Sequence, residues 1–461
     1  MPTALIAVAL IAVAGWGAAH LLSAPAARAA EAAGSFSIDD PAARTRTTVL
    51  PNGLTLLTLE DHSTPVVSFQ LWVRAGSRDE SRYSGIAHLF EHMMFKGSKH
   101  IEPEEHARLL NARGGRVNAF TNRDVTVYFE DVSAESLPLV IDLEAERRAH
   151  LDISEKTLTS EREVVLEERR LRIEDDPEGR AFEALAALAW TAHPYRRPVI
   201  GWRSDVEAIT VEACRAFFST YYAPNNIVVA IVGDFDGDAA RLQIERRMGG
   251  LEPALEIPRN PTLEPEQRGG RRSTVYFDLE SPILVAAWHA PRAGHPDGPA
   301  LDVASQILSA GRSSRLYRAL VYDAQQALHA RGAYWELKDA GLFYASAGVR
   351  PGASIDRVER LLLREIDRIR EAGVSDQEVE KARRQLEVGL VRGLATAHAL
   401  ASRIGRDMVI FGRIRPLEER LAEIQAVTRA DVQRVVATYL VEEKRSVVQV
   451  IPTDPASGAR Q

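Results

Sequence analysis

The stretch Gly85-Ile86-Ala87-His88-Leu89-Phe90-Glu91-His92-Met93-Met94-Phe95-Lys96-Gly97 decides how this chain is read. On a helix, His88 and His92 stand at i and i+4, so their imidazoles project from one face a turn apart. Two neutral imidazoles so placed can bind one borderline metal such as zinc. Glu91, at i+3 from His88 and beside His92, can take a proton from an activated water and return it to a leaving amine. A lone His on an apolar helix is usually a packed core residue. Two His flanking a Glu, among Leu89, Phe90, Met93 and Met94, are harder to explain by packing.

A catalytic zinc needs a third protein ligand and keeps one position for water. The only cysteine is Cys214, which excludes an intrachain disulfide and a Cys-rich cluster, so the third donor is a His, Asp or Glu. The segment Ser154–Ile173 reads as a helix with Ser154 as N-cap and offers Glu155, Glu161, Glu163, Glu167 and Glu168. Glu161, Val165 and Glu168 share one face. With Arg162, Arg169 and Arg170 nearby, the same run also reads as a solvated charged face, and spacing alone does not choose among the glutamates. Cys214, at helical spacing with Val211 and Phe218, reads as a buried core thiol.

Around this helix the chain alternates strand-like and helix-like segments and repeats itself. Val66–Val73 is a β-branched, aromatic run followed by a turn-rich stretch and the helix. Pro282–Trp288, another turn-rich stretch and a helix near Pro299 follow in the same order. Gly85–Gly97 and Pro299–Gly311 align without a gap at an offset of 214, which puts Asp302, Ser305 and Gln306 opposite His88, Glu91 and His92. Thr210–Tyr221 and Thr428–Tyr439, each preceding an apolar strand, align at 218. Two segments with nearly one offset indicate a duplicated α+β unit, of which only the first copy carries the metal set. Between the copies, four prolines and Gly269-Gly270 among charges predict an exposed linker and hinge. The expected spans are 45–252 for the metal-bearing domain, 253–272 for the linker and 273–455 for the second domain.

Of 461 residues, 45% are hydrophobic, enough for sizeable cores and incompatible with a wholly disordered chain. The net charge of −7, with no basic block, argues against nucleic acid as a partner. Pro2–Ala27 carries no charged side chain and leads into Ala27-Arg28-Ala29, a small-x-small pattern suited to signal-peptidase cleavage. Residues 1–29 are therefore expected to be a cleaved export signal, or an uncleaved membrane anchor, since the stretch is long enough to span a bilayer. Either way the folded part is expected outside the cytoplasm, periplasmic or secreted.

These residues resemble the inverzincin metallopeptidases, the pitrilysin and insulinase group that includes the mitochondrial processing peptidase. The resemblance runs from about Thr48 to Pro452 and is strongest in Gly85–Gly97 and Glu161–Glu168. It implies two homologous α/β-sandwich domains of α+β class, and one Zn²⁺ per chain. In the family the third ligand lies about 76 residues beyond the second His, which from His92 reaches Glu168. The resemblance thus assigns His88, His92 and Glu168 to the metal, Glu91 to catalysis and Glu161 to support of a ligand. Gly114–Thr121 resembles the edge strand against which substrate pairs, with Asn118 and Ala119 holding the peptide. The same run also reads as an ordinary edge hairpin. His193–Gly201 is similar to a family segment expected to be structural.

One departure stands out. Active members use an Arg and, about seven residues on, a Tyr from the second domain to hold substrate and stabilise the oxyanion. Here Ser313-Ser314-Arg315-Leu316-Tyr317 leads into that pair, whose positions fall on Val321 and Leu328. Arg315 and Tyr322 have the right spacing but need the alignment shifted by six residues, from Val321 to Arg315. The expectation is a zinc endopeptidase for peptides or unfolded segments, working with a homologous subunit that supplies the Arg and Tyr, or as a homodimer. The rival is a non-catalytic assembly or binding subunit of the same fold. A third, an unrelated zinc hydrolase of small molecules, is disfavoured by the strand-like edge at Asn118–Thr121.

Overall fold

The computed structural model of the chain describes residues 39–453, so the expected export segment lies outside the described residues. The first half runs β1 (Arg46–Val49), β2 (Thr55–Glu60), β3 (Val66–Val73), α1 (Ile86–Met93), α2 (Glu105–Asn111), β4 (Arg116–Thr121) and β5 (Thr126–Ser133). It continues through α3 (Leu137–His150), α4 (Glu155–Arg169), α5 (Pro177–Ala189), α6 (Arg203–Ala208), α7 (Val211–Tyr221), β6 (Ile227–Gly233) and α8 (Gly237–Met248). The second half runs β7 (Arg271–Phe277), β8 (Ile283–Ala290), α9 (Gly298–Ser309), β9 (Ala327–Trp335), β10 (Gly341–Val349) and α10 (Ile355–Ala372). It ends with α11 (Asp376–Arg392), α12 (Ala397–Phe411), α13 (Leu417–Ala426), α14 (Arg429–Tyr439) and β11 (Arg445–Pro452).

The sheets repeat one topology. The first has the order β1-β2-β6-β3-β5-β4 and the second β7-β11-β8-β10-β9. In each, the last strand of the half pairs parallel to the half's early edge-side strand, β6 with β2 and β11 with β7, and antiparallel to the next, β3 or β8. Apart from the added β1, the two orders superimpose strand for strand, so the duplication inferred from two sequence offsets is a duplicated α+β fold.

Each sheet is buried on both faces. The inner face of the first packs Phe69, Leu71 and Val229 against α1, α3 and α7, through Phe90, Ile141 and Phe217. Its outer face, Leu57, Leu59, Trp72, Val228, Ala230 and Val232, is covered by Leu400, Ala401 and Ile404 of α12, a helix of the other half. Reciprocally, α5 of the first half lays Ala181, Leu185 and Ala189 on Val285, Ala287 and Val448 of the second sheet. Each half therefore lends one helix to its twin, and burying both apolar surfaces welds the halves together.

The segment that joins the halves is mostly exposed, as its prolines and glycines predict. Residues 253–270 hold no helix or strand, but the segment is tied down. Arg259 donates to Asp79 Oδ1 (2.8 Å) and Asn226 Oδ1 (2.5 Å), and Glu264 accepts the N–H groups of Thr191, Ala192 and His193 at 2.8–2.9 Å. The strand β7 begins at Arg271, inside the span read as linker. The His193–Gly201 segment adds a further tie, since the Tyr195 hydroxyl donates to Asp124 (2.5 Å) and accepts the Asp339 N–H (3.1 Å) across the two halves. No described helix is long and apolar enough to cross a membrane.

Candidate metal centre

The helix α1 is seated by Gly85, whose φ of +91° and whose closeness to Ile200 O, 2.6 Å from any added Cβ, suit glycine alone. No side chain of Gly85 can cap the helix, and the Ala87 N–H is instead taken by Glu80 Oε1 at 3.0 Å. Phe90 anchors the apolar side against Phe217, Phe218 and Tyr222, with ring centroids 5.5–5.7 Å apart. This turns His88 and His92 toward α4. There Ser154 caps the helix by accepting the Thr157 N–H, as its sequence position predicts. The α-helix ends at Arg169 and passes into a wider π turn over Arg170–Glu174, so the helical segment read to Ile173 changes its pitch just past Glu168.

The predicted ligands meet. His92 Nε2 lies 3.2 Å and His88 Nε2 3.7 Å from Glu168 Oε2, and the three donor atoms lie within 4.8 Å of one another. Donors about 2.0–2.1 Å from a tetrahedral zinc stand about 3.3 Å apart, so this set fits the ion. His92 Nε2 is buried without a hydrogen-bond partner, which an ion held at that point would remedy. Glu161 Oε2 stands 3.7 Å from His92 Nδ1, on the other side of the ring, and its Oε1 is 3.1 Å from Lys96 Nζ. Glu91 is 1% exposed, and the Thr121 hydroxyl is the side chain that approaches its carboxylate as a donor.

The electrostatics separate these groups. Burial, helped by the neighbouring His92, pushes His88 down to about 3, keeping it neutral with a lone pair to give. Burial also acts to lower His92, but the Glu161 and Glu168 carboxylates outweigh it and raise the ring to about 9. Glu161 and Glu168 resist their own burial through His92 and nearby cations, and both sit below the ordinary carboxylate range. Burial drives Glu91 up to about 7, a value suited to passing protons near neutrality.

Glu80, Lys96 and Arg172 were not singled out by the sequence reading. Arg172 Nε lies 3.1 Å from Glu168 Oε1, leaving Oε2 to face the two imidazoles. The i+4 spacing from Glu168 to Arg172 was a readable signal, whereas the reach of Glu80 and Lys96 depends on loop geometry. A second group, His106, Glu130 and Glu144, also brings three donor atoms within 4.8 Å. There, however, the Arg147 guanidinium donates to both carboxylates, so the group is a closed ion cluster already holding its cation.

The strand β4 is a free sheet edge beside α1, and carries Asn118 and Ala119. The Ala119 N–H donates to the Asn118 side-chain Oδ1 at 2.9 Å, so the expected substrate edge is capped by its own asparagine. Val321 is half-buried against the second core, and Leu328 lies exposed on β9. The alternative Arg315 is bound to Glu378 at 2.7 and 2.9 Å, and Tyr322 is exposed under the Arg318 guanidinium.

Known proteins resemble this chain along most of its length. Residues 55–202 match the family model for insulinase, peptidase family M16, and residues 208–386 match the M16 inactive domain. An uncharacterized zinc protease of Streptomyces coelicolor is 30% identical, over 86% of this chain and 87% of its own. A probable mitochondrial-processing peptidase subunit beta of Arabidopsis thaliana is 26% identical, over 89% of this chain and 79% of its own. The crystal structure of a protease from Helicobacter pylori superimposes with a TM-score of 0.86 at 27% identity, covering 88% of this chain and 99% of that one.

Proposed function

Because the chain belongs to the insulinase (M16) family of peptidases, we propose that it is a zinc-dependent endopeptidase acting on peptides or unfolded segments. The observation that carries this reading is the convergence of His88 Nε2, His92 Nε2 and Glu168 Oε2 beside the buried Glu91 carboxyl. Zinc held there supplies a Lewis acid that polarises a peptide carbonyl and acidifies water. Glu91 accepts the proton of the attacking water and passes it to the departing amine. Glu161 holds the His92 ring through Nδ1, and Arg172 holds the outer oxygen of Glu168. A substrate strand pairs with β4 after Asn118 Oδ1 releases the Ala119 N–H.

The side chains at Val321 and Leu328 cannot donate to an oxyanion, so the full activity needs a homologous subunit that brings an Arg and a Tyr. The relative named as a processing-peptidase beta subunit favours such a pairing, with a homodimer as the simpler arrangement. The same two positions support the rival reading, a non-catalytic assembly subunit. Zinc content and peptide hydrolysis, measured on the chain alone and co-purified with its homologous subunit, separate them. Stoichiometric zinc with hydrolysis that appears or rises on pairing supports the peptidase; a zinc-free, inert complex supports the scaffold. We place the folded protein outside the cytoplasm, exported or anchored by residues 1–29, on the composition of that segment.

A further inference from the structure

The second half has a cleft that reaches the counterpart of one metal ligand of the first half. Counted from the two N-cap serines Ser154 and Ser375, Glu161 and Glu168 of α4 correspond to Ala382 and Gly389 of α11. A Cβ added at Gly389 meets nothing within 4 Å. Asp302 of α9 stands in the place of His88. Between α9, α11 and α13 lies a cavity of about 810 Å³, within the range that holds a small organic ligand.

Its wall is apolar at Leu386, Leu390, Phe411 and Ile424, among others, and carries several charged side chains. Most of those charges are matched: Arg406 with Glu336 (2.6 Å), Arg415 with Glu419 (3.1 Å) and Arg434 with Asp297 (2.8 Å). Two inward groups are not. The Asp302 carboxyl and the Arg420 guanidinium both line the cleft and are partly exposed to it, and neither has a salt-bridge partner as close as those three, although Glu336 and Arg406 act on Asp302 from further off and Asp407 on Arg420. Burial pushes the Asp302 carboxyl up to about 7, with Glu336 adding to the effect, and burial likewise lowers Arg420 without discharging it. Charged groups that face a cleft without a close partner are available to a ligand of complementary charge. An anion alone is repelled by Asp302, and a cation alone by Arg420.

We propose that this cleft binds a small zwitterion with an apolar side chain, an amino acid or a short peptide, its carboxylate on Arg420 and its ammonium on Asp302. The apolar side chain lies on Leu386, Leu390 and Phe411. Arginine suits the carboxylate because its planar fork can bind both oxygens. The proposal does not rest on the peptidase reading, although the ligand is of the chemical class that peptide hydrolysis releases.

The test is calorimetric titration of the full chain carrying Glu91→Gln, which leaves a peptide probe intact, with leucine and with leucyl-leucine. Saturable binding is expected for at least one probe, and which one binds distinguishes a free amino acid from a peptide product. Arg420→Gln and Asp302→Asn are each expected to weaken it at least about tenfold. Acetylating the probe's amine or amidating its carboxylate is expected to do the same, and those arms need no variant to fold. The proposal is overturned by absence of saturation up to about 10 mM of either probe, or by blocked probes binding as well as free ones. Binding that survives both cleft substitutions but is lost with His88→Ala overturns it too, by placing the probe in the metal centre.

Discussion

Glu161 Oε2 stands 3.7 Å from His92 Nδ1, opposite the Nε2 that faces Glu168 at 3.2 Å. A carboxylate at Nδ1 favours the tautomer that carries its proton there, which leaves the Nε2 lone pair free for a metal. Glu161→Gln is therefore expected to weaken zinc binding by about 10–100-fold, read by competition with a chelator. Excess zinc should restore most of the lost hydrolysis, since the reacting groups are untouched. Unchanged zinc affinity would show that the ring is oriented by packing alone.

Glu91 is buried beside the metal ligands, with the Thr121 hydroxyl as its one polar neighbour of note. Glu91→Gln keeps the shape and removes the proton acceptor, so zinc stoichiometry by elemental analysis should stay at one per chain. Peptide turnover should fall by at least about 100-fold, the share a general base ordinarily contributes. Retained turnover would move the proton transfer to another group.

The metal set was legible because it is local. His88, Glu91 and His92 occupy one turn and a half of helix, and their spacing alone states their geometry. Glu168 was not legible from spacing, since five glutamates share the segment; the approach of its Oε2 to both imidazoles and the resemblance to known peptidases pick it out. The duplication could be read from two offsets, because aligned helices keep their register over long stretches. The exchange of α5 and α12 could not be read, because an amphipathic helix records that it has a buried face but not whose sheet it covers. The linker was legible as irregular, exposed chain, but its ties were not, for a related reason. Pro and Gly report that residues 253–270 form no helix or strand, yet say nothing of Arg259 or Glu264 finding partners elsewhere.

Cys214 is fully buried on α7, and burial pushes its thiol up to about 12. Only the thiolate attacks disulfide reagents, and it is scarce at any pH well below that value. At pH 8 the folded chain should therefore leave a disulfide reagent such as dithionitrobenzoate unreacted, and one equivalent should react at once in denaturant. Rapid labelling of the folded chain would mean that α7 opens readily from the sheet.

Gly405 of α12 lies so close to Trp72 of β3 that an added Cβ would fall 2.3 Å from the indole Nε1. The indole is held in turn, since Nε1–H donates to Gln70 Oε1 at 3.1 Å and Gln70 donates to Ser402 Oγ at 3.0 Å. In a solvent-facing helix, Gly→Ala stabilises by roughly 1 kcal/mol through helix propensity. Here the methyl must displace a buried ring between the two halves, and overpacking of this kind costs about 1–3 kcal/mol. Gly405→Ala is therefore expected to lower the denaturation midpoint, reversing the sign that propensity gives. Trp72→Phe also destabilises, by removing ring area and the hydrogen bond to Gln70. Its smaller ring makes room for the methyl, so the double variant should lose less than the two single losses combined. Additive losses would show that α12 shifts away from the sheet as a body and that Trp72 is not what confines residue 405 to glycine.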